Sequence, residues 1–275
     1  QFFDSPRYSS GYAALFHCIA YVPETHMLKP FADRVQATLD LMISTCALAQ
    51  EQQDEILGQF EAQKDFWQNQ KTYPLAYRPD WEQADSIDFF GYQHSHIPSD
   101  VHGGLRLFYD REDPKTYRIA FRNKFIPEKF IDIPQGYIIP RGQHEVIDRL
   151  MANGIEVYPF SRDTTLLISQ YRVVDYQTVK APYEGHYVHY NAEVEKLEKQ
   201  KSFLAGDFWV PSQQAGIRYI LEVLEPRAMD SFFNWNFFDS YLQQKEHFSA
   251  YVFEEKAKQI LAGDAEPQKA FEEQK

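Results

Sequence analysis

Glu24 has the setting in this chain most suggestive of chemistry. It lies in the run F-H-C-I-A-Y-V-P-E-T-H-M-L-K-P, residues 16–30. The stretch 16–22 is mostly apolar and stops at Pro23, so it reads as a buried strand that delivers one carboxylate to its C-terminal end. Pro30 then stands where the first turn of a helix tolerates a missing N–H. In open α/β sheets, ligands and catalytic groups gather where a strand ends and a helix begins. A carboxylate held there, partly out of water, can take a proton from a bound water and pass it on. Taken alone, a Glu here is also what a solvated strand end or a helix start carries.

Other side chains invite weaker readings. Arg7 carries a bidentate fork suited to a carboxylate, and equally to a surface salt bridge. Tyr8 and Tyr12 flank S-S-G and read as loop tyrosines packing on the domain. His94, His96 and His102 form one histidine group, and His186 with His189 another. Neither has a Cys or carboxylate at ligand spacing, so both read as surface or hydrogen-bonded histidines. His144-Glu145-x-x-Asp148 opens like a zinc-protease helix but has Asp in the second His position, so it reads as an amphipathic helix start. Phe232, Phe233, Trp235, Phe237 and Phe238 could stack on a sugar or peptide, though such a cluster more often plugs a core. Glu225, Asp230 and Asp239 lie nearby and suggest a paired-carboxylate glycosidase, but with 40 acidic residues such proximity is common.

The elements that must hold these residues follow from pattern. Residues 1–15 are loop-like. Residues 31–49 carry an apolar stripe at helical spacing: Phe31, Val35, Leu39, Met42, Ile43 and Cys46. Residues 50–71 suggest a second, exposed helix, and Tyr73-Pro74 and Arg78-Pro79 place a domain break near residue 75. From about residue 85 short strand-like runs follow, at 104–109, 116–121, 136–140, 155–160 and 165–174. A helix over 143–153 is stopped by Gly154; another starts after Ser212 and ends at Pro226; a last one covers 238–261, with Phe248 inward. Aromatics at 16% favour a β-rich part.

Composition excludes some roles. A net charge of −12 without a basic stripe argues against a nucleic-acid partner. No apolar run is long enough for a transmembrane helix, and no signal peptide opens the sequence. Cys18 and Cys46 cannot build a disulfide framework or a cysteine zinc site and read as two buried thiols. Gln1 runs directly into F-F-D-S-P-R-Y, which reads as the middle of a protein, so the chain is expected to be a fragment.

Three segments together resemble a bacterial branch of the zinc metallocarboxypeptidase (carboxypeptidase A-like) family: R-Y-S-S-G-Y at 7–12, P-E-T-H-M-L-K-P-F-A-D-R-V-Q-A-T at 23–38, and L-E-P-R-A-M-D-S-F-F-N-W-N-F-F-D at 224–239. The first two resemble the end of the catalytic domain and the third its C-terminal extension. The resemblance implies an α/β catalytic part over residues 1–75, followed by an α+β accessory region over 76–275. It implies a hydrolase that cleaves peptide bonds at a free C-terminus, with Glu24 as general base beside a zinc-bound water. Tyr8 and Tyr12 lie where the family often has a tyrosine closing over substrate, and Arg7 could hold the substrate carboxylate. The family binds zinc through His-x-x-Glu and a distant His. No His here is followed by Glu three residues on, so the zinc ligands are expected upstream of Gln1 and the fragment alone inactive. The resemblance also suggests an exported protein. A different reading from the same residues is a non-catalytic module binding peptide, glycan or a partner chain.

Overall fold

The computed structural model describes residues 3–243, 249–263 and 265–273. They divide into two units, Gln1–Phe237 and Phe238–Lys275. The first opens with three helices, α1 (Ser9–Leu15), α2 (Phe31–Glu51) and α3 (Gln53–Gln68). Then come β1 (Thr72–Pro79), β2 (Asp85–Pro98), β3 (Leu105–Phe121), β4 (Phe125–Asp132) and β5 (Gly136–Ile139). After α4 (His144–Ala152) follow β6 (Tyr158–Pro159), β7 (Thr164–Thr178), β8 (His189–Phe203), β9 (Phe208–Pro211) and α5 (Ile217–Leu224). The second unit holds a 3₁₀ turn, Asp239–Tyr241, then α6 (Ala250–Gly263) and α7 (Ala265–Glu273). Of the single helix expected over 238–261, Phe248 lies outside the described residues.

The fold mixes helices with small sheets, and the strand pairings among the described residues are antiparallel. β1 pairs with β4, β2 with β3, β7 with β8, and β9 lies between β5 and β6. Both long ribbons are insertions. The β2–β3 ribbon leaves the body after Pro79 and returns at Phe125, its partner across the β1–β4 ladder. The β7–β8 ribbon leaves after Pro159 and returns at Phe208, its partner across β6–β9.

The core gathers around α5. Ile217 and Leu221 pack with Tyr73 and Leu75 of β1, Ile131 of β4 and Ala228. Nearly every residue of α5 is buried, and so are Val146, Ile147 and Leu150 of α4. Each such aliphatic side chain removed from water contributes about 1.5–3 kcal/mol. Gly154, at φ +72°, ends the α4 segment in the left-handed conformation its sequence position requires. Residue 75, where the domain break was expected, lies inside β1, and Leu75 is buried.

The N-terminal part differs from the sequence expectation. Residues 9–15 form a helix rather than a loop, and 16–22 form no strand. α1 stops in a Schellman motif: His17 takes φ +62°, its N–H bonds to Ala14 O, and the Cys18 N–H bonds to Ala13 O. That reversal uses up residues 16–18. A strand also needs a neighbour to satisfy its N–H and C=O groups, and no described strand precedes β1. Residues 18–26 are therefore irregular, and most are exposed. Cys18 and Cys46 are likewise exposed rather than buried, because the strand expected to hold the first does not form and the helix face bearing the second has no cover.

Candidate functional site

The segment carrying Glu24 runs irregularly from the end of α1 to the head of α2. Pro30 is the N-terminal capping residue of α2, and its carbonyl accepts from the Arg34 N–H at 3.2 Å. A turn precedes it: the Lys29 N–H bonds to His26 O at 3.0 Å, and the Leu28 N–H to His26 Nδ1 at 3.2 Å. Tyr21 ties the segment to α2 through a hydroxyl contact with Thr45. Glu24 is exposed at this bend, in irregular chain rather than at the end of a buried strand. The stripe of α2 is exposed too, with Phe31 at 73%.

Arg7 and Tyr12 come together at a different place. The Arg7 backbone N–H donates to Asp230 Oδ2 at 2.9 Å, and its Nε and an Nη donate to Oδ1 at 2.7 Å. The guanidinium lies over the rings of Tyr183 and Trp235, 5.5 and 5.4 Å from their centroids. The Trp235 Nε1–H also donates to Asp230, at 3.2 Å. Of the two roles open to Arg7, the ion pair is therefore the one formed, half-buried rather than on the surface. The pair joins segment 7–12 to segment 224–239. A close approach supports it: a Cβ on Gly11 would sit 2.2 Å from Ser5 O, so only glycine lets α1 lie on the preceding turn.

Beside this pair is a cavity of about 300 Å³ lined by Arg7, Tyr12, Tyr183, Tyr219, Asp230 and Trp235, among others. The Tyr12 hydroxyl bonds to Asn153 Oδ1, while Asn153 Nδ2 donates to Tyr219 at 3.0 Å. Burial, then the neighbouring Tyr12, pushes Tyr219 up to about 12. The cavity is largely aromatic-walled, with the Arg7–Asp230 ion pair on one side and Glu184 also in its lining. Neither Tyr8 nor Glu24 lines it. Tyr8 caps the N-terminus of α1 and is half-exposed.

Two buried carboxylates lie on or beside α5. Glu225 is fully buried and accepts from Tyr137 at 2.6 Å and from Tyr171 at 2.7 Å. Burial and the adjacent Glu225 hold both phenols well above the usual tyrosine range. Glu222 accepts from the Tyr73 hydroxyl at 2.7 Å. Burial raises it from 4.5 to about 7, against the opposing pull of Tyr73 and Arg218. Glu222 escaped the sequence analysis because α5 looks one-faced by pattern yet is buried nearly all round. Of Glu225, Asp230 and Asp239, suggested as paired glycosidase carboxylates, Glu225 is instead held by phenols and Asp230 by Arg7.

The remaining candidates fill structural places. His186 packs against Trp235 at 5.3 Å and lies parallel to the Phe237 ring. His189 is buried, with Nδ1 2.8 Å from the Thr178 hydroxyl. His94 packs beside Tyr109 and Tyr117 on the β2–β3 ribbon. His144 and Glu145 begin α4. Phe232 and Phe233 are buried in the first unit. Among the described residues, no three of His, Cys, Asp or Glu are grouped so as to hold a metal ion. Compared with family models, curated proteins and solved structures, the chain matches none.

Proposed function

We propose that this chain is the C-terminal portion of a zinc-dependent, metallocarboxypeptidase-like hydrolase acting on peptide bonds at a free C-terminus, with Glu24 as general base. The observation that carries the reading is the head of α2. There P-E-T-H-M-L-K-P-F presents an exposed carboxylate directly before a 21-residue helix whose apolar stripe is uncovered. A helix with Phe31, Val35 and Leu39 on one face needs an apolar surface against it. A catalytic-domain sheet fits that need and would also give residues 18–22 a strand to pair with. The described residues do not fit zinc, so the role assigned to this chain is that of proton acceptor, with the metal ligands upstream in the same catalytic domain. Tyr8 and Tyr12 remain the candidates for contacting substrate. Arg7 could reach a substrate carboxylate only by giving up Asp230.

The test is Glu24→Gln in the protein that includes the upstream part. The amide is nearly isosteric but cannot accept the proton. Turnover should fall about 100- to 10,000-fold with zinc content unchanged. Near-normal turnover removes Glu24 from the mechanism. The upstream coding sequence gives an independent check: His-x-x-Glu followed by a later His supports the enzyme, and their absence supports a binding module. That second reading is favoured by one observation, the β2–β3 ribbon, on which aromatic side chains are exposed and no residue is buried.

A further inference from the structure

We infer that the β2–β3 ribbon joins two copies of this chain, β2 pairing antiparallel with β2 of the second copy about a two-fold axis at Gly91. The result is a four-stranded sheet in the order β3–β2–β2–β3. The inference is independent of the hydrolase reading.

The first argument is that the ribbon lacks support. Its strands run 14 and 17 residues with no buried position, and Phe90 is 83% exposed. A two-stranded hairpin alone is marginal in water, and a third and fourth strand remedy that. The second is that its two edges are built differently. Opposite the step from Tyr92 to Gln93, β3 carries the extra residues Arg111, Glu112 and Asp113, followed by Pro114. A bulge, charges and a proline are what keep a strand edge from pairing. β2 keeps its charges and its proline toward its ends: between Asp88 and the terminal Pro98 it contains no Asp, Glu, Lys, Arg or Pro. One edge is closed and the other left open.

The third argument selects the occupant. Turned on itself about Gly91, the face of β2 that bears the even-numbered residues is complementary to itself. Asp88 falls opposite the partner's His94, Phe90 opposite the partner's Tyr92, and Ser86 opposite the partner's His96. Asp88 gives Oδ1 to Arg118 of its own ribbon at 2.9 Å and keeps Oδ2 to accept from the partner's imidazole. Aromatic and hydrogen-bonded side-chain pairs are among the cross-strand contacts that stabilise antiparallel sheets. Every pair in this register joins residues of like parity, so groups pointing out of one edge meet groups pointing out of the other. Gly91 lies on the axis, where a side chain would stand on the ribbon face and not between the two backbones. The space it leaves on the ribbon face is covered by Phe89 and Tyr117, 3.2 and 3.4 Å from where that Cβ would be.

The test is cross-linking. Cys18 and Cys46 are exposed, so both are first replaced by Ser. In that background Gly91→Cys sets two thiols across the axis at about 4.5–5.5 Å between Cα atoms, within disulfide range. Mild oxidation should turn most of the chain into covalent dimer. Ser86→Cys lies about 34 Å from its own copy in this register and should not cross-link. Failure of Gly91→Cys to cross-link, or equal yields at both sites, overturns the proposal. Sedimentation equilibrium gives a second reading. Phe90→Lys, at a side chain the ribbon itself leaves in solvent, should weaken association at least tenfold with an unchanged circular dichroism spectrum. Unaltered association also overturns the proposal.

Discussion

Glu222 ties the stability of this fold to pH. Its carboxyl titrates near 4.5 in an unfolded chain and at about 7 in the folded one. A carboxyl whose folded value is raised stabilises the fold fully below the unfolded value, and that contribution is lost as pH rises through the folded one. Between about pH 4.5 and pH 7 the loss should reach about 3 kcal/mol. Glu222→Gln keeps an acceptor for Tyr73 but cannot ionise, so urea unfolding of the variant should lose this pH dependence and exceed wild type above about pH 7. Identical pH profiles would exclude Glu222 as the source. The Arg7–Asp230 pair makes a separate prediction. Asp230 is nearly buried while Arg7 keeps some solvent contact. Asp230→Ala should cost about 2–3 kcal/mol, and a double-mutant cycle with Arg7→Ala should return a coupling of about 1–3 kcal/mol. A coupling near zero would mean that the ring contacts, not the ion pair, hold segment 7–12. Both roles of Arg7 were visible in the sequence. The choice between them was not, because Asp230 lies 223 residues away.

At the scale of elements, legibility depended on whether local pattern or distant partners decide the structure. α2, α3 and α4 follow from their spacing, and Gly154 ends α4 where its special conformation says it should. β3 read as two strands because Asp113-Pro114 resembles a turn, whereas in the fold it lies at a bulge within one strand. β8 was invisible: E-V-E-K-L-E-K-Q-K has too few apolar residues to alternate, and its ladder with β7 holds it extended. Residues 16–22 failed in the opposite sense, with the composition of a strand but no described strand to pair with. For α5, Leu221→Ala should cost about 2–5 kcal/mol in denaturant unfolding, since the side chain is fully buried. A cost below about 1 kcal/mol would mean that the site collapses around the smaller residue. Limited proteolysis of the chain should begin within 18–30, at the exposed Tyr21 with chymotrypsin, rather than near residue 75, which β1 protects. In the protein that includes the upstream part, the same bond should resist if that part covers α2. Equal cleavage rates in the two would remove the cover from the proposed function.

At the scale of the whole molecule, the coarse class, mixed helix and strand, was legible from composition and pattern, while the way the strands connect was not. Nested pairings such as β1 with β4 are set by contacts across some fifty residues, which no local window reports. That nesting has a consequence of its own. Each ribbon departs and returns through neighbouring residues, Pro79 beside Phe125 and Pro159 beside Phe208. At the first foot the Asp80 N–H bonds to Lys124 O at 2.9 Å; at the second the Phe160 N–H bonds to Asp207 O at 2.7 Å. The stem therefore closes without the appendage, as a graft union does, and the body is already continuous across each gap. Lengthening, trimming or exchanging an arm requires no rewiring of the trunk, so arms and trunk are free to diverge at different rates. Splicing Asn-Gly in place of residues 80–124 should turn β1 and β4 into a simple hairpin and move the melting temperature by less than about 4 °C. A trunk that no longer folds would show instead that the arm is a structural member.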